Sequence, residues 1–329
     1  MTPIRRRATD AAIALGLVAA LMSLTLAACG SSPNAANTAN TANAANAASA
    51  ASTTSTASTT SVVAAPVRIA HTTRGTVGYR VVGSGPPLVM VMGYAGTMEV
   101  WDPRFVDALA QHYRVVIFDN AGVGQTQALP APLTIDAMAD QTSALISALG
   151  LGRPDVLGWS MGGMIAQALA VRHPAQVHRL VLAATFPGTG TAVVPSQAAV
   201  QALTDGHAQL YLFPADQARA WDAFVAATAS YPAAAAVPAA VTTAQGNASL
   251  GWFAGTDPAG RRTAAIDVPT LIADGTADRI DATANDYALA KLIRGARLML
   301  YPDAGHAFLF QDGTSFASLI ESFLGANRG

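Results

Sequence analysis

From Val67 onward the chain alternates short runs rich in β-branched residues with longer stretches of helical periodicity. That alternation is the pattern of an α/β fold in which helices cover both faces of a mostly parallel sheet. It predicts eight strands, near Val67 to His71, Thr76 to Val82, Leu88 to Met92, Val115 to Phe118, Asp155 to Trp159, Leu180 to Ala183, Thr270 to Ala273 and Arg297 to Tyr301. Helices are expected near Asp102 to Gln111, from Ile135 to Leu149, immediately after Ser160, near Asp281 to Leu292 and from Ser315 to Leu324. About residues 188–267 the strand alternation stops, and an Ala-rich stretch punctuated by Pro195, Pro214, Pro232 and Pro238 reads as a helical cap.

The first 65 residues follow other rules. Arg5-Arg-Arg7 precedes a run from Ala11 to Ala28 without charge, the build of a secretory signal peptide over residues 1–28. Leu26-Ala-Ala-Cys29 follows, and it resembles the lipobox of bacterial lipoproteins, in which the cysteine carries diacylglycerol after cleavage. Cys29 is the one cysteine of the chain, so an internal disulfide is excluded and lipidation is the expected role. An uncleaved membrane helix is the alternative, since the run approaches spanning length; either way the chain is tethered to a membrane, with the domain expected outside the cytoplasm. From Cys29 to residue 65 the residues are almost all Ala, Asn, Ser and Thr, which predicts a disordered linker.

Composition leaves ample material for one large core in residues 66–329, with 51% hydrophobic and 12% charged residues over the chain. Loss of Arg5, Arg6, Arg7 and Asp10 with the signal shifts the formal charge from -1 to -3, so a nucleic-acid partner is not expected.

Candidate chemistry centres on Asp155-Val-Leu-Gly-Trp-Ser-Met-Gly-Gly163. Ser160 stands in a Gly-x-Ser-x-Gly turn between a predicted strand and a predicted helix, the context of a nucleophile elbow, with Gly158 and Gly162 leaving room where the two elements close. The spacing alone also recurs in Gly-rich loops, so its partners decide. Phe118-Asp-Asn-Ala-Gly-Val-Gly124 lacks the third glycine of a dinucleotide loop, and Asp119 is expected to bond backbone amides.

With the elbow, the Asp119 loop, the strand order and the cap together, the chain from Val67 resembles the α/β-hydrolase fold family, including serine esterases, enol-lactonases and haloperoxidase-like members. The resemblance implies a serine, aspartate, histidine order, here Ser160, Asp278 and His306. Asp278 falls in Gly275-Thr-Ala-Asp278, with Asp274 and Asp281 close enough to exchange roles, and His306 in Tyr301-Pro-Asp-Ala-Gly-His306. His71, His112, His173, His178 and His207 are accounted for by surface solvation, or one or two of them by the cap's pocket. The backbone amides of Tyr94 and Met161 are implied as oxyanion donors, although Met92-Gly93 stands where the family usually has His-Gly. The implied activity is hydrolysis of a carboxylic ester or lactone through an acyl-enzyme, with no cofactor and no metal. Carbon-carbon bond hydrolysis, perhydrolysis on the same triad, and a displayed lipoprotein that only binds are the alternatives. The cap aromatics Tyr211, Phe213, Trp221, Phe224, Tyr231, Trp252 and Phe253 either line an apolar pocket or fasten the cap to the core.

Overall fold

A computed structural model of the chain describes residues 60–204, 207–232, 234 and 236–325. The signal-like segment, Cys29 and the linker as far as residue 59 lie outside the described residues. The strands are β1 Arg68–Thr72, β2 Gly75–Val82, β3 Pro87–Val91, β4 Arg114–Phe118, β5 Asp155–Trp159, β6 Leu180–Ala183, β7 Thr270–Gly275 and β8 Arg297–Tyr301. They form one sheet in the order β1-β2-β4-β3-β5-β6-β7-β8. β2 is antiparallel to both of its neighbours, and every pairing from β4 to β8 is parallel.

Alternate residues of the central strands enter different cores, because successive strand side chains point to opposite faces. Val89 and Val91 of β3, Val156 of β5 and Ile272 of β7 pack on one face with Ile135, Met138, Ile165, Leu169 and Leu289. These come from α2 (Ile135–Ala148), α3 (Met161–Arg172) and α8 (Thr283–Leu292). Leu88, Met90, Ile117, Leu157 and Leu271 face the other way, onto Phe105, Leu109, Phe316 and Ile320 of α1 (Pro103–Ala110) and α10 (Gly313–Gly325). Both faces are therefore dry, as expected of parallel strands that read as continuous apolar runs.

Local signals place the helix starts. The Asp102 carboxylate accepts from the Arg104 amide at 2.8 Å ahead of Pro103, and the Thr134 hydroxyl accepts from the Ala137 amide at 3.0 Å. Between β6 and β7 the expected cap consists of α4 (Gln197–Thr204), α5 (Gln209–Leu212), α6 (Ala218–Thr228) and α7 (Ala239–Phe253), followed by a 3-10 turn at Gly260–Ala265. The short helix α9 (Phe308–Gln311) follows β8.

The folded body includes residues that the composition assigns to the linker. Val62 is fully buried and Ala65 nearly so. The Ser61 hydroxyl and the Val62 amide both donate to the Asp107 carboxylate of α1, at 2.6 and 2.7 Å. Arg80 donates to the Ala65 carbonyl. A single buried valine and three polar contacts thus place residues 61–65 in the folded body instead of the expected linker. Among the described residues no helix is long and apolar enough to cross a membrane.

Candidate active site

Three loops leave the carboxyl ends of parallel strands on one rim of the sheet, where open α/β sheets carry their sites. The first follows β5. Ser160 has φ 57° and ψ -123°, a left-handed conformation that costs a residue with a Cβ roughly 1–3 kcal/mol. Its surroundings hold it there: the Ser160 amide donates to the Ala183 carbonyl at 2.9 Å, and its own carbonyl accepts from Gly163 N at 2.9 Å and Thr185 Oγ1 at 2.7 Å. A Cβ at Gly158 would run into the Gly162 carbonyl, and one at Gly162 into the Val91 carbonyl of β3. The two motif glycines therefore permit a close approach of strand, helix and neighbouring strand that no other residue allows.

The second and third loops follow β7 and β8. Asp278 Oδ2 meets His306 Nδ1 at 2.6 Å, with both side chains buried. The other carboxylate oxygen of Asp278 accepts from the amides of Ile280 and Asp281 at 2.6 and 2.8 Å. Asp278, and not Asp274 or Asp281, is thus the aspartate brought to the histidine. The two loops are also joined directly, with the Ala277 amide donating to the Ala304 carbonyl at 2.8 Å. Trp159 Nε1 donates to the His306 carbonyl at 3.0 Å, which ties the histidine loop to the residue before Ser160.

Ser160, Tyr94 and His306 line one cavity of about 180 Å³, together with Met92, Gly93, Trp159, Leu203, Ala208, Leu212 and Ile280. The Tyr94 phenol is pushed up to about 12 by burial, so it stays neutral. Among the described residues neither the Tyr94 nor the Met161 amide donates to a protein acceptor, which leaves both for an incoming oxygen.

Met92, where the resemblance implies histidine, is packed into the loop. It is fully buried, its side chain packs where a Cβ on Gly96 would stand, and its carbonyl accepts from Asn120 Nδ2 at 2.8 Å. Asp119 accepts from the Met98 amide at 2.7 Å, and burial first of all pushes its carboxyl up to about 6. The structural role expected of Asp119 is the one observed. A residue that the pattern did not single out completes the brace: Gln245 of α7, itself fully buried, accepts from the Ala95 amide at 2.9 Å. The one signal in the sequence is the length of the glutamine side chain among the shorter Ala, Thr, Gly, Asn and Ser residues around it.

The cap aromatics fasten the cap and do not line the cavity. Phe213, Trp221 and Phe224 meet one another in edge-on and tilted contacts, Phe224 stacks on Phe310, Trp252 donates to the Phe186 carbonyl, and Tyr231 donates to the Trp101 carbonyl. From the cap, the cavity receives Leu203, Ala208 and Leu212. The other histidines stay outside it; His173 and His178 pair with Asp140 and Asp155 at 2.8 Å each.

Comparison with known proteins agrees with the fold. Residues 86–313 match the family model described as alpha/beta hydrolase fold. A polyketide synthase of Burkholderia thailandensis, ThaQ, is 32% identical over 255 residues, which are 74% of this chain and 12% of the synthase, so the chain spans a small part of that protein. An alpha/beta hydrolase fold protein from Chitinophaga pinensis aligns over 81% of this chain and 100% of its own, at 25% identity and a TM-score of 0.71. The enol-lactonase from Burkholderia xenovorans aligns over 78% and 100% at 25% identity and a TM-score of 0.63. The chain belongs to the α/β-hydrolase fold family.

Proposed function

We propose that this chain is a serine hydrolase that cleaves a small, neutral carboxylic ester or lactone through an acyl-enzyme at Ser160. The observation that carries the reading is the buried Asp278–His306 pair at 2.6 Å, whose histidine lines one cavity together with Ser160. In the reaction, His306 Nε2 takes the Ser160 proton as Oγ attacks the carbonyl carbon. Asp278 accepts from Nδ1–H, keeps the ring in that tautomer and stabilises the imidazolium. The carbonyl oxygen becomes the oxyanion and is received by the amides of Tyr94 and Met161; each such donor is worth about 3 kcal/mol in the transition state. His306 then protonates the leaving oxygen, and water repeats the sequence on the acyl-enzyme.

The cavity supports a small neutral acyl group. His306 and Tyr94 are its only titratable lining residues among those described, and its volume is close to that of an engineered cavity that admits benzene. Likeness to an enol-lactonase supports including cyclic esters. Ser160→Ala should abolish turnover of p-nitrophenyl acetate and labelling by a fluorophosphonate while leaving the melting temperature unchanged. Persistent turnover by the folded variant would refute the assignment.

The same proposal places the domain outside the cytoplasm, anchored by a lipid on Cys29 after removal of residues 1–28. Support comes from the lipobox-like Leu26-Ala-Ala-Cys29 behind a charged and then apolar segment. A clickable fatty-acid label should be incorporated into the native chain and not into Cys29→Ala, and a native chain that takes up no label would count against the anchor.

A further inference from the structure

Three carboxylates lie behind the Asp278–His306 pair, and the proposed mechanism uses none of them. Asp274 lies near the end of β7, Asp281 in the loop after Asp278, and Asp286 on α8. All three residues are fully buried. One oxygen from each lies within 4.8 Å of the others. Among the described residues no Lys or Arg pairs with any of them.

Their hydrogen bonds are incomplete in one direction. The Gly275 amide donates to Asp274 Oδ1 at 2.7 Å, and Asn285 Nδ2 donates to Asp281 Oδ1 at 2.6 Å. Asp274 Oδ2, Asp281 Oδ2 and both oxygens of Asp286 have no donor. Asp286 reaches the cluster from a helix, separately from the loop residues, and its buried carboxyl group has no partner outside the cluster. It stands close enough to Asp274 to share a proton with it. That pairing serves one oxygen of each and leaves Asp281 Oδ2 and the second Asp286 oxygen unserved. Buried unpaired carboxylates are costly, and an ion that meets all of the unserved oxygens together removes the cost.

We propose that Asp274, Asp281 and Asp286 form a site for a hard divalent cation, calcium by preference, within the loop that carries Asp278. Calcium accepts carboxylate oxygens supplied by the protein, whereas magnesium dehydrates reluctantly and keeps several waters, which three fully buried carboxylates suit less well. The donor set is all carboxylate oxygen, without the thiolate or imidazole that selects transition metals. The ion would tie the end of β7 to the start of α8 and so hold from both sides the loop whose Asp281 amide bonds Asp278.

The site is tested on the full chain, and its fate does not depend on whether Ser160 is acylated. After EDTA treatment and dialysis, 1 mM CaCl2 should raise the melting temperature by about 5 °C or more if the ion is well above its dissociation constant. Titration calorimetry should give one calcium per chain, and equimolar MgCl2 should give a smaller thermal shift. Asp286→Asn and Asp281→Asn should each abolish the calcium shift, and either one that folds decides the point. No calcium heat and no shift in the native chain would overturn the proposal, as would a full shift retained in the folded variants.

Discussion

Asp278→Asn is the substitution for which the structure specifies the outcome most closely. One carboxylate oxygen of Asp278 is held by two amide donors, Ile280 N at 2.6 Å and Asp281 N at 2.8 Å. An asparagine must therefore place its carbonyl oxygen there, because an NH2 group would face two N–H groups. The NH2 group is then left opposite His306 Nδ1, at the position where the native oxygen sits 2.6 Å away. An NH2 group cannot accept, so Nδ1 must present its lone pair and the imidazole proton moves to Nε2. In that tautomer Nε2 donates toward Ser160 and can no longer take its proton. The wrong tautomer in a comparable triad costs about 10⁴ in kcat, or about 5.4 kcal/mol at 1.36 kcal/mol per decade. KM should change little, since the side chain does not line the cavity. The assay is steady-state hydrolysis of p-nitrophenyl acetate beside a thermal melt of the same sample. A folded variant that keeps kcat within tenfold of the native enzyme would refute the reasoning, because Asp278 would then not set the tautomer.

Two further outcomes follow from the surroundings of the site. Gln245→Leu removes the acceptor of the Ala95 amide, next to the proposed donor Tyr94; an unserved donor that is partly buried costs about 1–2 kcal/mol. We expect kcat/KM to fall by about five- to twentyfold with a lower melting temperature, and unchanged kcat/KM would show that the loop is held without Gln245. Asp257, at the cap's end, is pushed from 3.8 up to about 7, first by burial and then by Asp136. The folded state therefore binds a proton that the unfolded state has released between about pH 4 and 7, and this group's contribution to stability falls as pH rises through that window. The urea midpoint should drop less between pH 5 and 7.5 in Asp257→Asn than in the native chain, and equal drops would refute the assignment.

Much of this was legible in the sequence, for a reason that the residues make plain. The strands read as apolar runs because both sheet faces are covered, and Val89 and Met90, adjacent in sequence, enter different cores. Ser160 announces itself because its conformation needs glycine on both sides, and the clashes that a Cβ would meet at Gly158 and Gly162 are local to the turn. Asp278 and His306 lie in the loops that follow β7 and β8, where the family resemblance singles them out once the strands are predicted.

What composition did not reveal depends on contacts made across the chain. Val62 looked like linker because its neighbours are Ala, Ser and Thr, yet it is buried once Asp107 takes the Ser61 and Val62 donors. The cap aromatics have the same chemistry whether they line a pocket or close a core, and only the stacking of Phe224 on Phe310 and the bonds of Trp252 and Tyr231 to Phe186 and Trp101 separate the two. The Ala95–Gln245 bond spans 150 positions, and the Trp159–His306 bond spans 147. A hydrogen bond of that separation leaves no periodicity in either segment, since each partner is simply a polar group in an apolar neighbourhood. The site thus divides in two. The groups proposed to react are set by turns that the local sequence must encode, whereas the precision of their placement comes from distant side chains. Substitutions at the distant positions should therefore reduce turnover by modest factors where those at Ser160 and Asp278 remove it.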